Sequence, residues 1–248
     1  MKVEEINPYS EEGDKGSQVA RMFDSISSRY DFMNSAMSLG QHKRWRNKAL
    51  KAALRLLPAN DNLKILDIAT GTGDVAFRLH SMLPQAVISG IDISEGMLEI
   101  AEKKLRELPE KDQHLMAFGI GDSLMMPFQD YEFDMVTVAY GVRNFSDLRK
   151  GLKEMRRVLK PGGVLCIIEL STPAGFLTKP AYNLYSGKII PFLGKLVTGD
   201  SRAYTYLPES IAACPQRDDM SALLFASGFP HVDWHSLSFG ALTYYIAR

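Results

Sequence analysis

The chain has 248 residues, of which 29 are basic and 29 acidic, so its formal net charge is zero. A hydrophobic content of 46% is enough to form a buried core, which excludes global disorder. The zero net charge argues against a protein that holds nucleic acid through a broad positive field.

This length suits a single domain, which we predict to span 1–248. The two cysteines, Cys166 and Cys214, are too few for a disulfide framework and have no metal-spaced neighbours, so we expect buried thiols, a reducing compartment and no bound metal. The acidic N-terminus lacks the features of a signal peptide, and no apolar run reaches the ~18 residues of a membrane span. We therefore expect a soluble, cytoplasmic protein.

Apolar runs alternate with helical patterns between about residues 63 and 170. The runs predict strands at 63–68, 86–93, 114–120, 133–142 and 164–170. Helices are predicted through Leu83, over 94–108 with Ser94 as the N-cap, and over 146–159, where Lys160-Pro161-Gly162-Gly163 ends the last one. This order is typical of a mostly parallel sheet with helices on both faces, a Rossmann-like α/β fold.

Three further segments lie outside this alternation. A helical N-terminal region covers about 17–57, and an insertion covers 171–216. In the last segment, 217–248, a helix over 218–227 precedes two strand-like runs separated by Gly240. These runs predict a C-terminal antiparallel hairpin, which brings the predicted sheet to seven strands.

A glycine-rich turn follows the first predicted strand. In the run LDIATGTGD (66–74), Gly71 and Gly73 together with Ala76 form a G-x-G-x-x-A pattern, and Asp92 ends the second strand 20 positions beyond Thr72. In α/β sheets this arrangement places a carboxylate on ribose hydroxyls while the backbone of the turn contacts the ligand. Nicotinamide-binding proteins share the pattern, so it does not by itself identify the ligand.

Acidic residues around the turn favour S-adenosylmethionine over a nicotinamide dinucleotide as the ligand. Asp67 precedes the loop and Asp74 follows it, and both would repel a pyrophosphate. They suit a ligand with cationic groups, such as the ammonium and sulfonium of S-adenosylmethionine. Asp122, followed by Ser123 at the end of the third strand, is placed to meet an adenine amino group.

Four blocks of sequence carry a family resemblance: 22–46, 66–74, 139–147 and 156–173. With them the chain resembles class I S-adenosylmethionine-dependent methyltransferases, and more narrowly the ubiquinone/menaquinone biosynthesis C-methyltransferase family. The resemblance implies a cofactor-binding core at 63–170 and a substrate cap at 17–57. It also implies that the S-adenosylmethionine contacts include Thr72, Asp92, Asp122, Ser123 and Ala139. The glycine turn itself adds Asp67, Gly71 and Gly73 to the predicted cofactor site.

Two positions depart from the family pattern. Many members have glycine where this chain has Thr70, and a small polar residue where it has Ala139. Thr70 is expected to restrict the turn slightly, and Ala139 can offer only its backbone to the ligand.

The implied reaction is transfer of a methyl group to a ring carbon of a prenylated quinol. Arg143, Asn144 and Tyr30 are the predicted catalytic residues, with Tyr140 and His42 as weaker candidates. Arg143 could stabilise a phenolate or hold a water that removes the proton. It could instead form an ion pair with an acid such as Asp147. The sequence does not place His42 near the ring.

The acceptor and the partners are less sharply specified. The chain as a whole resembles bacterial members of the menaquinone pathway more closely, which favours demethylmenaquinol as the acceptor and menaquinol as the product. The alternatives are 2-methoxy-6-polyprenyl-1,4-benzoquinol of ubiquinone biosynthesis and another small aromatic or lipid acceptor. Apolar residues and three lysines in 171–199, together with the basic run 42–51, favour contact with the inner face of a membrane. A lid, a packed subdomain or a homodimer interface would also explain the insertion.

Two other protein classes remain as alternatives. A nicotinamide oxidoreductase is opposed by the acids around the glycine turn. A non-catalytic binding module on the same fold is opposed by the intact turn, Asp92 and the G-x-R-N run at 141–144. His231 and His235 lie four residues apart on a predicted strand and form no ligand pair.

Overall fold

The computed structural model describes residues 2–9, 13–38, 40–59, 62–175, 178, 182 and 201–248, with only the backbone of 201–204. The helices are α1 (Lys15–Met37), α2 (Gln41–Leu54), α3 (Asp74–Met82), α4 (Glu95–Arg106), α5 (Glu110–Gln113), α6 (Leu148–Val158), α7 (Ser201–Ala213) and α8 (Asp218–Ala226). The strands are β1 (Lys64–Ile68), β2 (Val87–Asp92), β3 (Met116–Ile120), β4 (Phe133–Ala139), β5 (Leu159–Leu170), β6 (Val232–Leu237) and β7 (Leu242–Ala247). Short 3-10 turns lie at Val3–Glu5, Val142–Asn144 and Ser238–Gly240.

The described strands form one seven-stranded sheet in the order β3-β2-β1-β4-β5-β7-β6. Neighbouring strands are parallel from β3 to β5, whereas β7 is antiparallel to both β5 and β6. The predicted fold class, including the C-terminal hairpin, is therefore confirmed. The reversal of strand order on either side of β1 creates the crevice in which such sheets bind ligands.

Buried apolar residues cover both faces of the sheet. Along β1, Ile65 packs with α2 and α3 on one face, and Leu66 and Ile68 pack with α6 and α8 on the other. This alternation follows from the two-residue period of a strand. A third cluster joins α1 to α4 and α7 through Met22, Ile26, Met33, Met97 and Tyr206. Helix α1 is thereby packed beside the sheet edge at which the strands end.

Several element boundaries differ from the predicted ones. The fifth strand begins earlier than the predicted residue 164, because Leu159 already pairs with Phe133 in β4. The register shifts between Phe133 and Met135, and this irregularity absorbs the glycines inside the strand. Strand β4 ends at Ala139 rather than at residue 142, because Tyr140 takes a left-handed backbone with φ of 60°.

The N-terminal region consists of two helices. Asp14 caps α1 by accepting a hydrogen bond from the Ser17 amide at 2.9 Å, so the helix begins at Lys15. Gly40, with φ of 73°, starts α2. Within the insertion predicted at 171–216, residues 176–177, 179–181 and 183–200 lie outside the described residues. No helix in the described part of the chain is long and apolar enough to span a membrane. Both cysteines are free and buried, as predicted.

Candidate active site

The glycine turn after β1 depends on left-handed backbone. Ala69, Gly71 and Gly73 have φ of 51°, 56° and 80°. A Cβ on Gly73 would lie 2.6 Å from the ring of Phe77, so only glycine fits without displacing that ring. The Thr70 hydroxyl donates to Asp67 at 2.6 Å, so the departure at position 70 provides a hydrogen bond within the turn.

Asp92 is fixed against this turn by backbone donors. Its Oδ2 accepts from the Gly71 amide at 2.8 Å, and its Oδ1 accepts from the Ser94 amide at 2.9 Å. Burial raises the pKa of Asp92, while these two hydrogen bonds favour the carboxylate. Ser94 also caps α4 through its side chain, as predicted, so that one short segment positions both the acid and the helix.

A cavity of about 400 Å³ opens at the carboxyl ends of β1 to β4. This volume lies in the range of small-ligand sites. Seven of the predicted site residues line it: Tyr30, Gly71, Asp92, Asp122, Ser123, Ala139 and Asn144. No motif in the sequence signals the apolar wall, which includes Phe23 and Met97, or the part of the wall that the first turns of α1 provide.

Three predicted cofactor residues support the turn and do not line this cavity. Asp67 is buried, where it accepts hydrogen bonds from the hydroxyls of Thr70 and Thr137, both at 2.6 Å. Burial raises the pKa of Asp67 to about 6. The hydroxyl of Thr72 donates to Asp31 on α1 at 2.7 Å, and Gly73 is the N-cap of α3.

The negative charge of Asp74, which we expect from the sequence to repel a pyrophosphate, is paired with cations in the structure. Asp74 pairs with Arg46 at 2.9 Å and with Lys104 at 3.2 Å, so two cations neutralise it. Asp67 lies behind the turn. Of the acids predicted for the site, those that line the cavity are Asp92 and Asp122, whose Oδ1 accepts from the Leu124 amide at 2.8 Å.

Helix α1 is tied to this edge of the sheet by two acids. Asp24 accepts hydrogen bonds from the Ser94 hydroxyl at 2.6 Å and from the Gly96 amide at 2.9 Å. Asp31 pairs with Lys104 at 2.7 Å. These contacts join residues at least 70 positions apart, and no local pattern in the sequence signals them.

The loop after β4 brings the predicted catalytic residues into the interior. A Cβ on Gly141 would lie 2.7 Å from the Cβ of Ala69, so the loops after β4 and β1 are in close contact. Arg143 and Asn144 are buried in the 3-10 turn that follows. Lys15 donates to the Arg143 carbonyl at 3.0 Å, and burial lowers the pKa of this lysine to about 8.

Arg143 forms a buried ion pair, but not with the predicted acid. Its Nη1 lies 2.9 Å from Oε1 of Glu169 at the end of β5 and also donates to the Tyr140 carbonyl. Asp147 instead caps α6, where it accepts from the Lys150 amide at 2.9 Å. The Nε atom of Arg143 is buried and has no hydrogen-bond partner among the described residues.

A second, largely apolar cavity of about 220 Å³ adjoins the first. Its lining includes Tyr30, His42, Tyr140 and Arg143, so it gathers the predicted catalytic side chains apart from Asn144. The remaining described lining is mainly apolar: Met22, Phe23, Ile26, Met33, Asn34, Met37, Ser38, Trp45, Leu170, Tyr182, Tyr206, Leu207, Ile211 and Ala241. Three aromatic residues, Phe23, Tyr30 and Tyr140, line both cavities. The two cavities therefore meet at these rings.

Tyrosines dominate the polar groups of the second cavity. Burial raises the pKa of Tyr30, Tyr140 and Tyr206, so all three are protonated at neutral pH. The Tyr206 hydroxyl donates to Oδ1 of Asn144 at 3.1 Å. The hydroxyl of Tyr140 is buried and has no partner within the described part of the chain.

No metal centre is visible in the described part of the chain, where no group of three or more His, Cys, Asp or Glu side chains could hold an ion. His235 stacks on Tyr244 with ring centroids 5.0 Å apart.

A mostly parallel seven-stranded sheet with a glycine turn after β1, an acid at the end of β2 and an antiparallel C-terminal hairpin is the fold of the class I methyltransferases. The fold resembles that of a SAM-dependent methyltransferase from Thermotoga maritima, with a TM-score of 0.60, 19% identity and coverage of 92% of this chain and 98% of that one. A sequence model described as the ubiE/COQ5 methyltransferase family matches residues 11–248. The chain belongs to this family.

Named relatives cover almost the whole chain. A demethylmenaquinone methyltransferase from Bacteroides fragilis is 44% identical over 247 residues, which are 98% of this chain and 97% of the relative. A ubiquinone/menaquinone biosynthesis C-methyltransferase UbiE from Geotalea daltonii is 40% identical, covering 94% of this chain and 96% of the relative.

Proposed function

We propose that the chain transfers the methyl group of S-adenosylmethionine to a ring carbon of demethylmenaquinol, forming menaquinol. The observation that carries this proposal is the junction of a ligand-sized cavity, which contains Asp92, with a second apolar cavity at Phe23, Tyr30 and Tyr140. A donor in the first cavity and an aromatic acceptor in the second would meet at these rings. The name of the Bacteroides relative supports the choice of acceptor.

The first cavity suits the donor. The carboxylate of Asp92 is held by two amides, with lone pairs left to accept hydrogen bonds from ribose hydroxyls. Asp122 and Ser123 lie on the same lining, where they are available to the adenine. The acidic lining favours a cationic sulfonium ligand over a pyrophosphate.

The second cavity suits a quinol ring and the first part of its prenyl tail. The guanidinium of Arg143 is oriented by Glu169, and its Nε, which has no partner among the described residues, is available to donate to a quinol oxygen. A cationic donor of this kind stabilises the phenolate form of the quinol, in which the ring carbon is nucleophilic enough to attack the methyl group. Tyr30 lines both cavities and is a second candidate donor to the quinol.

The chemical step needs alignment more than activation. The ring carbon attacks the methyl group, a C–C bond forms, the C–S bond breaks, and S-adenosylhomocysteine leaves as a neutral thioether. Positioning the two reactants is therefore the main contribution of the protein. Because the sulfonium loses its charge in this step, an apolar, water-poor acceptor cavity favours the reaction.

We also propose that the protein works at the inner surface of a membrane, from the cytoplasm. Arg44, Lys48, Lys51 and Arg55 share one exposed face of α2 and its C-cap, and none of them has an ion-pair partner among the described residues. Trp45, which lines the apolar cavity, donates to the Ser238 hydroxyl at 2.8 Å.

Phe239, the next residue after Ser238, is 85% exposed, with a left-handed backbone of φ 58°. A basic face beside an exposed aromatic residue suits an anionic lipid surface. The apolar cavity would then open towards the source of a prenylated substrate. The insertion predicted at 171–216 could serve as a homodimer interface and not as a membrane contact. Light scattering of the purified protein would detect such a dimer.

Methyl transfer to both reduced quinols tests the catalytic proposal. The purified protein is incubated with S-adenosylmethionine and either demethylmenaquinol or 2-methoxy-6-polyprenyl-1,4-benzoquinol, and products are measured by mass spectrometry. We expect a gain of one methyl group on the naphthoquinol ring. Exclusive methylation of the benzoquinol would overturn the choice of acceptor. Calorimetric binding of S-adenosylmethionine without turnover of either quinol would favour a binding module.

Vesicle flotation tests the membrane proposal. We expect binding to anionic vesicles and little binding to neutral ones. Replacing Lys48 and Lys51 by Gln should weaken binding by about 2 kcal/mol, roughly 30-fold, since each basic residue contributes about 1 kcal/mol at such a surface. The matched control is Lys153→Gln on the exposed face of α6. Equal flotation of the double variant and the control would refute the assignment of this face.

A further inference from the structure

His42 lies between two different environments. On one side it lines the apolar cavity together with Tyr30 and Arg143. On the other it lines a separate, more polar cavity of about 360 Å³, which also includes Asp31 and Asp74. The imidazole therefore connects the space assigned to the quinol ring with a polar cavity outside it.

Hydrogen bonding determines which ring nitrogen of His42 carries the proton. The Ser38 hydroxyl lies 2.6 Å from the Asn34 carbonyl and 2.6 Å from Nδ1 of His42. A carbonyl can only accept, so the single hydroxyl proton of Ser38 is donated to Asn34. The contact with His42 is then a hydrogen bond only if Nδ1 carries a proton and donates it to the Ser38 oxygen. In neutral His42, Nε2 therefore has the free lone pair.

The surroundings of His42 favour this neutral form. Its pKa is lowered, first by burial and then by the nearby cation Arg46, with Lys43 adding to the effect. Asp74 and Asp31 oppose the shift. On the apolar side the ionisable neighbours are Arg143 and the tyrosines of the cavity lining.

The other polar groups of the apolar cavity are poor proton acceptors. The tyrosines Tyr30, Tyr140 and Tyr206 are protonated, because burial raises the pKa of each. Arg143 is a cation paired with Glu169. The described remainder of the lining consists of apolar side chains, an asparagine, a serine and Tyr182, whose pKa burial raises to about 12. Among the described residues of this lining, His42 is the neutral base.

We propose that Nε2 of His42 accepts the proton that the ring carbon loses after methyl transfer. The inference rests on the proposed quinol methylation. Once the C–C bond has formed, the ring carbon is tetrahedral and still carries its hydrogen. The C–H bond breaks, its electron pair restores the aromatic ring, and the proton forms a bond to Nε2. The resulting imidazolium then releases the proton through the polar cavity to water.

The variant His42→Asn tests this step. Asparagine can place an N–H near the position of Nδ1 and keep the bond to Ser38, but it has no basic nitrogen. We expect kcat to fall at least 100-fold at pH 7, with the KM for quinol and the Kd for S-adenosylmethionine unchanged within threefold. Deuterium at the acceptor carbon should reveal a larger isotope effect than in the wild type, since proton removal becomes slower.

The pH profile supplies a second measurement. In the wild type, kcat should fall below a pKa lower than the ordinary value of 6.5, and this acid limb should disappear in His42→Asn. His231→Asn, an exposed histidine, is the matched control and should keep wild-type kinetics.

Three outcomes separate the possibilities. A His42→Asn enzyme within threefold of wild-type kcat, with the acid limb retained, would overturn the inference. A loss of kcat that comes with weaker donor binding, or without a changed isotope effect, would make His42 structural and would also overturn it. A wild type that binds S-adenosylmethionine but methylates neither quinol would instead remove the proposed function on which the inference rests.

Discussion

The ion pair between Arg143 and Glu169 is accessible to a quantitative test. The two side chains are only 7% and 4% exposed, and their charged atoms lie 2.9 Å apart. Replacing Arg143 by Met keeps much of the volume of the stem but leaves the Glu169 carboxylate buried without its cation. Breaking a buried pair in this way costs about 3–5 kcal/mol of the free energy of unfolding, out of the ~5–15 kcal/mol typical of a domain. The double variant Arg143→Met, Glu169→Gln removes both charges, so it should recover at least half of the loss.

Urea denaturation monitored by circular dichroism measures these free energies, and donor affinity and turnover are measured on the same samples. We expect both variants to lose most turnover, because neither has a guanidinium to stabilise the quinol oxygen. We also expect both to bind S-adenosylmethionine with wild-type affinity, because Arg143 does not line the first cavity. A single variant that loses less than about 1 kcal/mol, or a double variant that is less stable still, would refute the reasoning.

Three further predictions concern the glycine turn and the acids around it. Asp92→Asn should weaken S-adenosylmethionine binding by about 10- to 100-fold in calorimetry, because the amide cannot present both acceptor oxygens to the Gly71 amide and a ribose; unchanged affinity would remove Asp92 from the site. For Asp67, burial raises the folded-state pKa to about 6 from an ordinary 3.8, so the folded protein favours the protonated carboxyl group. The contribution of Asp67 to the free energy of unfolding is therefore complete below pH ~4 and is lost as the pH rises through 6. The non-titrating variant Asp67→Asn should therefore gain stability relative to wild type by up to about 3 kcal/mol between pH 4 and 7, and a constant difference in urea denaturation across that range would contradict this. Gly73→Ala should lower the melting temperature, because φ of 80° and a Cβ 2.6 Å from Phe77 are both unfavourable; a calorimetric scan identical to wild type would show that the turn adapts freely.

The sequence predicts the features of this fold that depend on residues close together in the chain. The apolar runs predicted all seven strands, Ser94 was identified as the cap of α4, and the acid at the end of β2 lines the cavity that the motif implies. Each of these features depends on residues a few positions apart, or on a spacing that the strand-turn-helix unit sets by itself. The start of β5 differs from the predicted residue 164, because Leu159 pairs with Phe133 on another strand, and the local sequence does not signal that contact.

The partners of the site residues could not be read in this way. The sequence suggested Asp147 for Arg143, but the fold brings Glu169 to it, 26 positions away. Thr72 stays a predicted cofactor contact, and its hydroxyl donates to Asp31 on α1, a partner that no local pattern signals. The acids beside the glycine turn also have partners that the motif does not signal: Asp67 accepts from Thr70, and Asp74 pairs with Arg46 and Lys104.

The sequence by itself determined the fold class, the family blocks and the chemical type of the residues at the sheet edge. Hydrophobic periodicity and motif spacing predict these features, because the features arise from local backbone geometry and from the burial of alternate side chains. Only the tertiary structure decided that the site is divided into two cavities, that Arg143 is held by Glu169 and that His42 lies between the apolar cavity and a polar one. These features depend on how α1, α2 and the loop after β4 pack against one another, and the packing joins residues whose separation along the chain carries no periodic signal.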